Sequence, residues 1–337
     1  MIKNNRCFII AEAGVNHNGS YKLAKKLIDA SIFAGADAVK FQTFNANDVI
    51  SKNAKKIKYQ KKNSKDKDSQ LKMLKKLELK NSEFKKLLKY CKKRKIIFLS
   101  TAKDLKSAKF LNNLNVRAHK VGSGDIINHE LLRYLGRKKK PIIISTGMAN
   151  INEISDVFRF IKNKKHVHLL HCVSLYPTPL NLANLNTIPF LKKNFKVSCG
   201  FSDHTIGYEA SIAAVSLGAN IVEKHITLDK KMIGPDHKTS LEPLEFKQMV
   251  KSIRKINDSF GIFGKVLSKK EKKNIKTFRR GLVFRRDLKK FSKITNKDLG
   301  IKRPLNGLKP AFKERLIGKI LRHDVKEDQP VKFNCFK

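Results

Sequence analysis

Cys7-Phe8-Ile9-Ile10-Ala11-Glu12-Ala13-Gly14-Val15-Asn16-His17-Asn18-Gly19-Ser20 reads as a strand, a polar turn and the start of a helix. The apolar run ends at Glu12. Ser20 stands where an N-cap belongs, ahead of a helix whose inner face carries Leu23, Leu27 and Ile28 and which Gly35 ends. The unit recurs along the chain. β-branched or apolar runs lie at 7–11, 37–42, 96–99, 117–121, 141–144, 167–171, 196–200 and 219–225, with helical patterns between them. Asn150-x-x-Glu153 predicts a capping box before Ile154, Val157, Phe158 and Ile161, and Gly218 stops the helix of Ile212 to Leu217. Phe246, Met249, Val250 and Ile253 mark a helix after the eighth run. Strand and helix alternating eight times predict an α/β fold, a (β/α)8 TIM barrel over residues 1–264.

Outside that pattern lie a charged insertion at about 45–80 and a charged linker at 265–277. Residues 278–337 read as a small second domain, with a short strand at Gly281–Phe284, a short helix opening at Thr295 and a Pro/Gly-punctuated stretch at 301–310.

Composition bounds the function classes. The 337 residues are 41% hydrophobic, enough for a buried core, so charge-driven disorder is excluded despite 30% charged residues. No stretch approaches the ~20 apolar residues of a membrane span. The N-terminus shows no signal-peptide h-region or cleavage site, and the expectation is a cytoplasmic protein. Cys7, Cys91, Cys172, Cys199 and Cys335 form an odd set without C-x-x-C, which predicts reduced, mostly buried thiols. The net charge of +46 raises a nucleic-acid reading. Two observations weaken it. Only 14 of the 74 basic residues are Arg, the residue suited to bidentate phosphate or guanine contacts. The excess is also concentrated, with 18 basic against 4 acidic residues in 55–95 and 13 against 2 in 265–293. Much of the first block is the polar face of a helix whose inner face is Phe84, Leu87, Leu88 and Cys91.

The chemistry is written at the strand ends, where a (β/α)8 barrel places its active site. In order they carry Glu12, Lys40 with Gln42, Ser100-Thr101, Lys120 with Ser123 and Asp125, Ser145-Thr146, His171 followed by Ser174 and Tyr176, Ser202-Asp203-His204, and Glu223-Lys224-His225. Polar residues at every strand end cost folding energy unless they bind something. Lys40, Lys120, Ser123, Ser145 and Ser202 suit a phosphate or carboxylate. His204 and His225 end adjacent strands and could share a metal, with Glu12 and Asp236 as nearby carboxylates, although a single buried histidine is more often packed core.

Taken in order, Ile10 to Gly19, Ala38-Val39-Lys40-Phe41-Gln42, Ser145-Thr146-Gly147-Met148, Phe201-Ser202-Asp203-His204-Thr205, Glu223-Lys224-His225 and Gly234-Pro235-Asp236-His237-Lys238 resemble the sialic acid synthase family, the N-acetylneuraminate, legionaminate and pseudaminate synthases. Residues 278–337 are similar to the antifreeze-like (SAF) domain of those enzymes. The resemblance implies condensation of phosphoenolpyruvate with an N-acylated amino-sugar aldehyde, releasing phosphate. It implies donor-binding roles for Lys40, Lys120, Ser123, Ser145 and Ser202 with Gln42 close by, and catalytic roles for Glu12 and Asp236. Ser174 and Tyr176 fall near the sugar; Ser174 stands where some members have Asn, which bears on the acceptor. His204 and His225 match two metal ligands, for manganese, with magnesium or cobalt as alternatives. Arg303 matches an arginine that the SAF domain inserts into a partner subunit's site, which implies a domain-swapped homodimer. The alternatives are another phosphoenolpyruvate–aldose synthase and, in a different class, a basic nucleic-acid-binding protein.

Overall fold

Eight parallel strands close on themselves in chain order in a computed structural model that describes residues 6–57, 60 and 68–337. They are β1 (Phe8–Gly14), β2 (Ala38–Thr43), β3 (Ile97–Ala102), β4 (His119–Val121), β5 (Ile142–Ser145), β6 (Val167–Cys172), β7 (Ser198–Asp203) and β8 (Ile221–His225). The eight helices that follow them are α1 (Tyr21–Phe33), α2 (Asn81–Lys93), α3 (Leu105–Asn113), α4 (His129–Gly136), α5 (Ile151–Phe160), α6 (Thr187–Phe195), α7 (Glu209–Ser216) and α8 (Pro243–Ser259). The expected punctuation operates. Ser20 accepts the Leu23 N–H at 3.4 Å, and Asn150 accepts from the N–H groups of Asn152 and Glu153 while its own N–H donates to Glu153. The first five residues and part of the charged insertion lie outside the described residues; within the rest of that insertion are helical turns at Ala46–Val49 and Gln70–Leu77.

Six of the eight strands run further at their C-terminal ends than the apolar runs indicated, while β4 and β8 end where those runs do. Polar residues ended those runs, but the backbone ladder continues through them: Glu12 pairs with Lys40, Thr101 with Lys120 and Ser202 with Glu223. Side chains alternate along a strand, so one parity faces the barrel axis. Phe8, Ile10, Ala38, Leu99, Ala118, Ile143, Leu170 and Ile221 form an inner apolar layer. The outer parity joins the helices in a much larger core that includes Leu27, Phe84, Leu87, Leu169, Phe201 and Phe246. Stepping two residues from the inner layer toward the C-terminal ends gives Glu12, Lys40, Thr101, Lys120, Ser145, Cys172 and Glu223. The apolar layer is therefore a floor, and the polar strand ends stand on it.

The contacts divide the chain into two units, one ending at Phe260 and one spanning Gly261–Lys337. Part of the expected charged linker is helical, α9 (Lys269–Phe278), capped by Ser268. In the second unit β9 (Gly281–Phe284) pairs antiparallel with β10 (Leu299–Lys302), over a core of Leu282, Phe284, Ile294, Leu299, Leu321, Val331 and Phe336. The helix expected to open at Thr295 is a single 3-10 turn, Asn296–Asp298, because Leu299 turns directly into β10. All five cysteines are buried and unpaired. Among the described residues, no helix is long and apolar enough to cross a membrane.

Candidate active site

Above the apolar floor is a polar cavity of about 180 Å³. Of the residues anticipated from the sequence, Glu12, Lys40, Gln42, Lys120 and Ser123 line it from β1, β2 and β4, and Ser145, Tyr176, Ser202, His204 and His225 from the other half. Asp236 lines a smaller adjoining cavity of about 110 Å³ that shares Gln42, Tyr176 and His225. Ser174 stands just behind the wall, its hydroxyl 3.2 Å from that of Ser123. The turn after β5 closes against it only because residue 147 is glycine: a Cβ there would lie 2.5 Å from the Ser174 hydroxyl and 2.7 Å from the Cys172 sulfur. Arg303 belongs to the second unit, where its guanidinium lies 5.8 Å from the centroid of the Phe278 ring.

Two lysines and two carboxylates form the base of the cavity. Lys40 Nζ lies 2.7 Å from Glu12 Oε2, donates to Thr101 at 2.7 Å and is 3.7 Å from Glu223 Oε2. Lys120 Nζ donates to Ser145 at 2.7 Å and is 3.8 Å from Glu223 Oε1, which also accepts from Ser202 at 3.1 Å. Gln42 donates to the other oxygen of Glu12 at 3.2 Å. Both carboxylates are buried, but their environments separate them. Burial raises the Glu12 carboxyl above its ordinary range, outweighing Lys40. Burial also works against charge on Glu223, yet Lys120 and Lys40, with the Ser202 hydroxyl, override it and hold that carboxyl down near about 2. Paired groups whose affinities for protons are pushed apart are the mark of an acid beside a permanent anion.

The two histidines sit one layer higher, their ring centroids 5.8 Å apart, with the Tyr176 ring 4.1 Å from that of His204. Burial lowers both imidazoles, His204 to about 4, so both are neutral at pH 7. His204 Nδ1–H donates to the Val173 carbonyl at 2.8 Å, which fixes the ring and leaves Nε2 unprotonated with its lone pair. His225 Nδ1 is buried without a hydrogen-bond partner among the described residues, 4.0 Å from Asp236 Oδ2. Two neutral, oriented imidazoles with unspent nitrogens fit a divalent metal. Among the described residues no group of three metal-ligating side chains is assembled.

Sequence reasoning noted Thr101, Asp125 and Glu223 at strand ends without assigning them a role, and passed over Lys103 and Cys172; all five line the cavity. The signal that finds most of them is parity. Counting in twos from Leu99, Leu170 and Ile221 reaches Thr101 and Lys103, Cys172, and Glu223. Asp125 sits on the turn after β4, its carboxyl pushed up to about 6 by burial.

The chain is similar to known proteins along most of its length. The NeuB family model matches residues 27–265, and the SAF domain model residues 279–337. The N,N'-diacetyllegionaminic acid synthase of Campylobacter jejuni is 46% identical over 97% of this chain and 99% of its own length. That of Legionella pneumophila is 40% identical over 93% of this chain and 89% of its own. The crystal structure of N-acetylneuraminic acid (sialic acid) synthetase from Leptospira borgpetersenii superposes with a TM-score of 0.74 at 34% identity, covering 81% of this chain and 92% of that one. With the family model matched over most of the barrel and the relatives aligned nearly end to end, this chain belongs to the NeuB family.

Proposed function

We propose that the protein is a nonulosonic acid synthase that condenses phosphoenolpyruvate with an N-acylated amino-sugar aldehyde, a 2,4-diacetamido-2,4,6-trideoxyhexose before N-acetylmannosamine. The observation that carries the reading is the base of the cavity: two buried lysines and a row of hydroxyls suited to an anionic donor, beside two carboxylates with divergent proton affinities. The choice of acceptor is supported by the 46% identity to a diacetyllegionaminic acid synthase.

The chain's own residues account for the proton traffic. Lys40, Lys120, Ser145 and Ser202 hold the donor's anionic oxygens with the enol carbon facing the acceptor. A carbon–carbon bond forms to the aldehyde carbon, and the aldehyde oxygen takes a proton. Glu12, raised by burial, is placed to give that proton and to take one back from the water that adds at C2. The C2–O bond to the phosphoryl group then breaks, the C2 hydroxyl gives its proton to the departing phosphate, and a 2-keto acid remains. Glu223 stays ionised and offsets the two lysines. A divalent metal held by His204 and His225, manganese in our reading, would supply Lewis-acid polarisation of the aldehyde. Asp236 and Tyr176 border the adjoining cavity and are assigned to the acceptor, while Gln42 lines both cavities and stays beside the donor through its hydrogen bond to Glu12.

Phosphate release from phosphoenolpyruvate, measured with each sugar and with or without manganese, tests this. We expect release with the diacetamido sugar, lost on chelation and lost in His204→Ala. No release with any sugar overturns the reaction class, and full activity after chelation overturns the metal assignment. In the same reading Arg303 completes the site of a partner subunit in a homodimer, supported by the SAF match. Mixing inactive Arg303→Ala with inactive Glu12→Gln should then restore turnover; a mixture that stays inactive argues against the exchange.

A further inference from the structure

Among the described residues, Lys103 is the one lysine of the cavity wall with no hydrogen bond or ion pair. Its Nζ lies over the Phe44 ring, 5.8 Å from the centroid. By contrast Lys40 is tied to Glu12 and Thr101, and Lys120 to Ser145 with Glu223 beyond. The placement is built in. Leu99, Thr101 and Lys103 share the inward parity of β3, and the Lys103 N–H donates to the Thr43 carbonyl at 3.2 Å, which ties the residue to the end of β2. The side chain is half-buried and lines both the main cavity and the adjoining one that contains Asp236. Burial works against its charge and lowers its pKa; the carboxylates Asp125, Asp236 and Glu12 favour the charge only across space, and Lys40 opposes them.

We propose that Lys103 is a substrate-binding residue that holds the phosphoryl group of the anionic donor at the boundary between the two cavities. The inference rests on the phosphoenolpyruvate reading above. Glu223, which stays ionised, offsets one of the two deep lysines, and Glu12 serves as the proton carrier, so a donor with a carboxylate and a doubly charged phosphoryl group carries more negative charge than the base of the cavity balances and needs a further cation. A neutral sugar does not. Thr101 and Ser123 on the same side of the cavity supply hydroxyls, and the half-open position suits the group that must leave. When the C2–O bond breaks, its electron pair departs with phosphate. The Lys103 ammonium supplies charge to that oxygen and transfers no proton.

Lys103→Met and Lys103→Arg test the assignment in the full chain. Losing a charge-assisted contact should raise the KM for phosphoenolpyruvate, and weaken competitive inhibition by inorganic phosphate, by about ten- to a hundred-fold in Lys103→Met. The KM for the sugar should stay within about twofold, since a neutral acceptor makes no such contact. Lys103→Arg should recover much of the loss. A direct calorimetric titration with inorganic phosphate and with pyruvate reads the same contact without turnover, and only the phosphate should weaken. Unchanged phosphate affinity overturns the proposal, as does a loss confined to pyruvate or to the sugar KM. A wild-type protein that binds phosphate through Lys103 but turns over no sugar would overturn the reaction and leave this contact standing.

Discussion

His119 is 1% exposed on β4, on the face opposite Lys120, and neither ring nitrogen meets a partner among the described residues. Burial, with Lys140 and Lys138 nearby, pushes its imidazole down to about 4. In the unfolded chain the same group titrates near ~6.5. Between those values the unfolded state holds more protons, so stability falls as pH drops through that window. The full effect is on the order of 3 kcal/mol, at ~1.4 kcal/mol per unit. His119→Leu keeps the volume and removes the titration. Its stability relative to the wild type should climb as pH falls from about 7 to about 5 in urea titrations. Parallel curves for the two proteins would show that His119 carries no such linkage. At this scale the sequence was partly legible. The polar residues at the strand ends announced themselves by interrupting apolar runs, as Glu12 and Lys120 do. His119 did not, because a histidine beside a lysine at a strand start gives no sign of which one faces the axis until the parity is set by the inner layer.

The ends of β7 and β8 are joined behind the two histidines. Asp203 and Lys224 are register partners, each 1% exposed, with Nζ 3.0 Å from the carboxylate. Asp203 also accepts from the Thr205 N–H and hydroxyl and from Ser211, and Lys224 donates to the Thr205 carbonyl at 2.5 Å. Removing one partner of a buried, satisfied ion pair strands the other charge and costs about 3–5 kcal/mol. Lys224→Met should therefore lower stability by that order, and adding Asp203→Leu should recover a large part of it. Denaturant titration of both single variants and the double variant measures the coupling; purely additive losses would contradict the pairing. Element order was readable because each strand–turn–helix unit carries its own punctuation. The ion pair was not, since Asp203 and Lys224 are twenty-one positions apart and became neighbours only through the β7–β8 register. Nor was α9: a helix of Lys, Glu and Asn without a buried face offers no apolar period to detect.

For the molecule as a whole, the +46 charge and the cavity's need for an anion act in the same direction. Most of that charge is surface lysine with no part in the cavity, and each such charge is too weakly coupled to any one site to set affinity. Summed, the charges make a positive potential that raises the local concentration of a trianionic donor and leaves a neutral sugar unaffected. Salt separates the two substrates because the screening length shrinks from ~30 Å at 0.01 M to ~10 Å at 0.1 M. In a chloride series with phosphate-free buffer, kcat/KM for phosphoenolpyruvate should fall several-fold between about 0.01 and about 0.3 M, while the sugar KM at saturating donor stays flat. Lys103→Met should keep the same salt slope from a lower starting point, because the long-range field belongs to the surface and the lost contact is local. A donor kcat/KM independent of salt would show that the lysine excess does nothing for the donor. Equal slopes for both substrates would point instead to a general effect of salt on the folded protein.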